Sequence, residues 1–199
     1  MKFISLGSSC GTTTFLQQAK LKGPNYPFDW ALSPPQFTLE IIKRILNGNT
    51  RDFFKGGYGH DGVTYVPAEL GSIANTDFRT IFPHEDHKTR DEAYDTYYRR
   101  IDRLRDALLS DDPVTYIWSP PGGTPTFEKE PIVQDIREPL NDIYHIVQKY
   151  NPKSRVFVFH DTDIEFTSGI QSYRIKPSDN YGGIASQISE TTNNGQVFS

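Results

Sequence analysis

The chain has 199 residues, enough for one domain of ordinary size with a sizeable core. A formal net charge of −4 and a pI near 5.7 argue against general affinity for nucleic acid or an anionic membrane surface. Hydrophobic residues make up only 36% of the chain, but 11 Tyr, 13 Phe and 2 Trp supply large buried area per residue.

No stretch approaches ~18 consecutive apolar residues, so no membrane span is expected. Met1-Lys2-Phe3-Ile4 leads straight into a strand pattern, without the apolar region and cleavage site of a signal peptide. The single cysteine rules out an internal disulfide and points to a reducing compartment. The cytoplasm of a bacterium or of a virus-infected host cell is the expected location.

Lys2–Leu6 reads as a first strand. The Ser/Thr loop after it, Gly7 to Thr14, leads to a helix from Phe15. Gly23-Pro24-Asn25-Tyr26-Pro27-Phe28-Asp29-Trp30 is too rich in Pro and Gly for regular structure and too aromatic for a solvated loop. Ser33-Pro34-Pro35 opens a second helix, with Phe37, Ile41, Ile42 and Ile45 on its apolar face and Asn47-Gly48-Asn49 as its stop. Phe53 to Phe82 has a weak pattern, expected to be an irregular excursion or short hairpins, with a strand at Val63–Val66.

Asp91–Leu109 is a strongly periodic helix, its apolar stripe interleaved with Arg99, Arg100, Arg103 and Arg105. Val114–Trp118 reads as a buried strand, 131–150 as a long helix, and Arg155–Phe159 as a third strand. Ser172–Ile175 is a candidate fourth. Strands that are apolar throughout and separated by helices imply a parallel sheet covered on both faces. The expected fold is a three-layer α/β domain with a mostly parallel sheet, flavodoxin-like or SGNH-like rather than a true papain fold. Residues 1–190 form the single domain, and 191–199 are a flexible tail or a cut into a longer polypeptide.

Ligands of open α/β sheets gather beyond the carboxyl ends of the strands. Three such ends are readable: Ser8, Ser9 and Cys10; Ser119 to Gly123; and His160 to Asp163. Cys10 is the strongest lead, because a thiol at a helix start is pushed toward thiolate; the bland alternative is a small buried hydrophobe. Ser8, Ser9, Gly11 and Thr12 would supply N–H groups for an oxyanion or a phosphate.

Gly7-Ser8-Ser9-Cys10-Gly11 matches the serine-elbow pattern literally, yet that elbow follows a mid-sheet strand in larger proteins. No Cys/His cluster has zinc spacing, and His84-Glu85-Asp86-His87 lacks the metalloprotease pattern, which leaves His84, His87 and a carboxylate as a weak metal alternative; neither metal nor cofactor is expected. His84, before two acids, and His160, at a strand end, are rival bases.

Ile4-Ser5-Leu6-Gly7-Ser8-Ser9-Cys10, Pro27-Phe28-Asp29-Trp30 with Ser33 following, Phe82-Pro83-His84-Glu85, and Tyr97-Tyr98-Arg99-Arg100-Ile101-Asp102-Arg103-Leu104 occur in that order. Together they resemble the family described as putative papain-like cysteine peptidases, found in bacteria and large viruses. The resemblance implies Cys10 as nucleophile, His84 as its base and Asp29 as a nearby polar member of the site. Relatives tend to read His-Asp-Phe where this chain has His84-Glu85-Asp86.

Three functions follow from these residues. The first is a thiol-dependent hydrolase or acyltransferase acting on a small-molecule, peptide or glycan substrate. The second is a glycan-directed transferase that binds a nucleotide sugar, with Phe28, Trp30 and Trp118 stacking on the sugar or base and Arg99, Arg100 or Arg103 neutralising phosphate. The third is a non-catalytic virus or phage interaction module, whose mark would be an unreactive Cys10.

Overall fold

The computed structural model describes residues 1–7, 10–31, 33–49, 58–60, 65–67, 90–120, 136–176 and 181–193. Its elements are β1 (Lys2–Ser5), α1 (Cys10–Gln18), α2 (Pro35–Leu46), β2 (Tyr58–His60), β3 (Tyr65–Pro67), α3 (Arg90–Leu108), β4 (Val114–Trp118), α4 (Arg137–Tyr150), β5 (Arg155–His160), β6 (Gln171–Arg174) and α5 (Tyr181–Asn193). Four strands form one sheet in the order β1-β4-β5-β6, and all three pairings are parallel. β2 and β3 form a separate antiparallel pair, in the region expected to hold short hairpins.

Strand alternation sorts the core into two halves. On β4, Tyr116 and Trp118 face one cluster with Ile4, Leu6, Phe28, Ile42, Leu140 and Val158. Ile117 faces the other, with Phe157, Phe159, Phe15, Leu16, Ile184 and Ile188. Helices α2, α3 and α4 therefore cover one face, and α1 and α5 the other, which gives the three layers. Burial of each such side chain stabilises the fold by about 1.5–3 kcal/mol.

Local signals explain the helices. In α2, Pro35 occupies the first turn, where a missing N–H costs nothing, and Phe37, Ile41, Ile42 and Ile45 are all buried. The helix stops at Asn47, and Gly48 follows with φ +80°. In α4, Leu140, Ile143 and Val147 repeat at helical spacing and are buried. Stretch 161–170 returns from β5 to β6 without a helix, and Ile164, Phe166 and Ile170 from it pack on the α2–α4 side.

Several boundaries differ from expectation, and among them α4 starts at Arg137 rather than at Pro131. α1 starts at Cys10 rather than Phe15, because Thr12 and Thr13 satisfy their hydroxyls against neighbouring backbone and side chains instead of breaking the helix. α5 continues to Asn193, three residues into the stretch expected as a tail. Among the described residues no helix is long and apolar enough to cross a membrane.

Candidate functional site

The segment leading to Cys10 is held from several sides. The Ser5 hydroxyl accepts the Gly7 N–H at 3.2 Å, and the Thr38 hydroxyl at the start of α2 donates to the Leu6 carbonyl at 2.9 Å. Gly7 turns the chain with φ +89°, and a Cβ there would lie 2.9 Å from Ser33 Cβ. Only glycine meets both conditions. Thr12, buried in the first turn of α1, lies 2.5 Å from the Ser119 hydroxyl and donates to the Gly7 carbonyl at 3.4 Å. Because Thr12 has one proton to give, Ser119 donates to Thr12 and Thr12 to Gly7. The carboxyl end of β4 is thus tied to the first turn of α1 and, through it, to Gly7.

Cys10 is the first residue of α1 and is 9% exposed. Burial raises its thiol above the ordinary range, and its backbone N–H offsets this only in part. The direction corrects the expectation of a standing thiolate: loss of water outweighs the helix N-terminus. Such a thiol rests protonated near neutral pH and needs a base to attack.

Asp29 is fully buried and both of its oxygens are engaged. Oδ1 accepts the Thr13 hydroxyl at 3.0 Å. Oδ2 accepts the Tyr26 N–H at 2.7 Å and pairs with Lys22 Nζ at 2.8 Å. The Lys22 side chain is only 9% exposed. Asp29 therefore closes the Tyr26–Asp29 turn and locks it against the first turns of α1. Lys22 was not foreseen, since a lysine seven positions upstream in an irregular segment leaves no periodic signal.

The other expected site residues are scattered. Ser8, Ser9 and His84 lie outside the described residues. Gly11 is buried in the first turn of α1 beside Cys10. His160, at the end of β5, is 6% exposed; its Nδ1 donates to the Thr162 carbonyl at 2.6 Å and its ring packs edge-on to Phe166. By strand alternation it shares the α2–α4 face with Val156 and Val158, whereas Cys10 begins a helix on the opposite face.

Phe28 is buried edge-on to Phe37, 6.5 Å between centroids; it is core, and no stacking face is left for a sugar. Trp30 is partly exposed and takes φ +64°, a rare conformation for a bulky residue. On α3, Arg99 is exposed and reaches Thr96. Arg100 is buried with its guanidinium 4.9 Å from the Tyr97 ring centroid, and Arg103 donates to the Asn25 carbonyl. No cluster of metal-ligating side chains occurs among the described residues.

A family model described as putative papain-like cysteine peptidase matches residues 1–145. The chain belongs to that family. No curated protein and no solved structure matches it. The papain-like name does not extend to the sheet: its described pairings are all parallel, and the cysteine follows the first strand. Thr12 and Thr13, in the turn of α1 that Cys10 opens, are held by Ser119 and Asp29. His160 stands apart from that group.

Proposed function

We propose that the protein is a thiol-dependent hydrolase or acyltransferase in which Cys10 is the nucleophile and His84 its base. The observation that carries this reading is the placement of Cys10 at the first residue of α1, beyond the carboxyl end of β1, in a family described as cysteine peptidases. The N–H groups of the first turn point away from the helix body and suit a developing oxyanion.

In the reaction, the Cys10 proton passes to His84 as Sγ bonds to the acyl carbon. The tetrahedral intermediate then breaks its bond to the leaving nitrogen or oxygen, which takes that proton. Water releases the acyl group in hydrolysis, and another nucleophile does so in transfer. The raised thiol fits this scheme, since a protonated nucleophile requires a neighbouring base. Asp29 acts through Thr13 as a positioning residue.

The test is the pH dependence of Cys10 alkylation in the native protein, in His84→Ala and in His160→Ala. We expect His84→Ala to slow alkylation near neutral pH by about 10²-fold, the lower end of general-base contributions, and His160→Ala to leave the profile in place. A thiol that reacts only after denaturation overturns the proposal.

A further inference from the structure

β1 and β4 run parallel in a register that pairs Ser5 with Ile117. The ladder continues past β1, where the Leu6 N–H donates to the Ile117 carbonyl at 2.8 Å, and the same register sets Gly7 opposite Ser119. Side chains alternate along a strand. Ile117 faces the cluster that contains Phe15 and Leu16 of α1 and Trp118 faces the other, so Ser119 lies on the α1 side. Its hydroxyl meets Thr12 there at 2.5 Å, and Thr12 donates to the Gly7 carbonyl at 3.4 Å. One threonine thus spans the ends of two neighbouring strands, and both it and Ser119 are fully buried.

Local sequence does little to keep that turn helical. The first N–H groups of a helix have no partner within it, glycine and threonine are poor helix formers, and the first turn of α1 holds no acidic residue to favour the helix dipole. Two side-chain ties stand in for these signals, Thr12 to Ser119 and Thr13 to Asp29. Successive helix residues point about 100° apart, so the ties pull in different directions and fix the turn in rotation. Cys10 opens it.

We propose that Ser119 is a positioning residue for Cys10: through Thr12 it holds the first turn of α1 on the ends of β1 and β4 and so keeps the thiol seated. That the seated thiol is a nucleophile rests on the function proposed above; the seating itself does not. Asp29 holds the turn from the Tyr26–Asp29 side. Ser119 ties it to β4, which lies between β1 and β5, and inner strands are the last part of a fold to open.

The experiment compares Ser119→Ala with Ser154→Ala in the full-length protein. Ser154 Oγ accepts the Val114 N–H at 3.1 Å, so the control removes one buried serine hydrogen bond at the opposite end of the same strand. Cys10, the only cysteine, is followed with a bulky aromatic disulfide reagent, which reaches a thiol 9% exposed when the turn opens. The rate then follows the open population. We expect Ser119→Ala to raise it about tenfold, the equivalent of about 1.4 kcal/mol, and Ser154→Ala to leave it unchanged. Ser119→Thr, which restores the hydroxyl, should bring the rate back toward the parent. Thr12→Val deletes the same link and keeps the side-chain shape; it should also raise the rate, and adding Ser119→Ala to it should raise it no further.

Equal rates in Ser119→Ala and the parent overturn the proposal, and so does an equal rise in Ser154→Ala, which would mark a general loss of stability. Additive effects of Ser119→Ala and Thr12→Val overturn it as well, since the two hydroxyls would then act separately. Where Ser119→Ala does not fold, Thr12→Val carries the same comparison with Ser154→Ala. The reagent reads seating without His84, so the two proposals fail separately. Alkylation untouched by His84→Ala refutes the proposed base alone, and Ser119 variants that match the parent while His84→Ala slows alkylation refute this inference alone.

Discussion

Replacing Asp29 with alanine separates a positioning role from a catalytic one. The substitution removes the only charged partner of Lys22 among the described residues and leaves the Tyr26 N–H and the Thr13 hydroxyl without their acceptors. Breaking a buried pair by deleting one member costs about 3–5 kcal/mol. Lys22 retains the Gly23 and Pro24 carbonyls at 3.2 and 3.0 Å, which places the expected loss at the lower end, about 3 kcal/mol. With a urea dependence of about 2 kcal/mol/M, the midpoint should fall by about 1.5 M. The assay is urea unfolding followed by tryptophan fluorescence. A variant that keeps its midpoint within about 0.3 M, a stability change of about 0.6 kcal/mol, yet loses Cys10 reactivity would refute the reasoning, because Asp29 would then act in chemistry rather than in holding α1.

Tyr116→Phe should reduce the alkaline sensitivity of the fold. The folded Tyr116 hydroxyl is raised above its unfolded value, so its stabilisation is fully present below about pH 10 and is lost as pH climbs toward the folded value. Tm measured from pH 8 to 11 should therefore fall less steeply in the variant, and an identical slope would contradict this. His160→Gln removes the ring that contacts Phe166 and the Nδ1 contact to Thr162. It should lower Tm by a few degrees, corresponding to about 1 kcal/mol, without moving the pH profile of Cys10 alkylation. A displaced profile would place His160 within reach of the thiol.

The layers were legible in the sequence because a covered parallel strand and an amphipathic helix each leave a distinct period. Val114–Trp118, Arg155–Phe159 and the Ile/Leu stripes of α2 and α4 gave both element type and burial. The start of α1 was not legible. Cys10-Gly11-Thr12-Thr13 has poor helix propensity, and its helical state depends on Ser119 and Asp29, which are distant in sequence. The same dependence hid the role of Asp29: a motif marks a residue without saying whether its carboxylate meets a substrate or a lysine. Phe28 misled for a related reason, since an aromatic in a Pro-rich segment serves a ligand or the core equally well until Phe37 is seen against it.

The family match ends at residue 145, partway through α4, while β5, β6 and α5 follow. Phe15 and Leu16 of α1 are enclosed by Phe157, Phe159, Ile184, Ala185 and Ile188 from that later part. A chain stopped at 145 would turn the inner side of α1 and the back of Ile117 to water, so the motif-bearing portion is not a self-sufficient folding unit. The division of labour is uneven. One stretch carries the family motifs, and the other encloses Phe15 and Leu16 with an apolar surface.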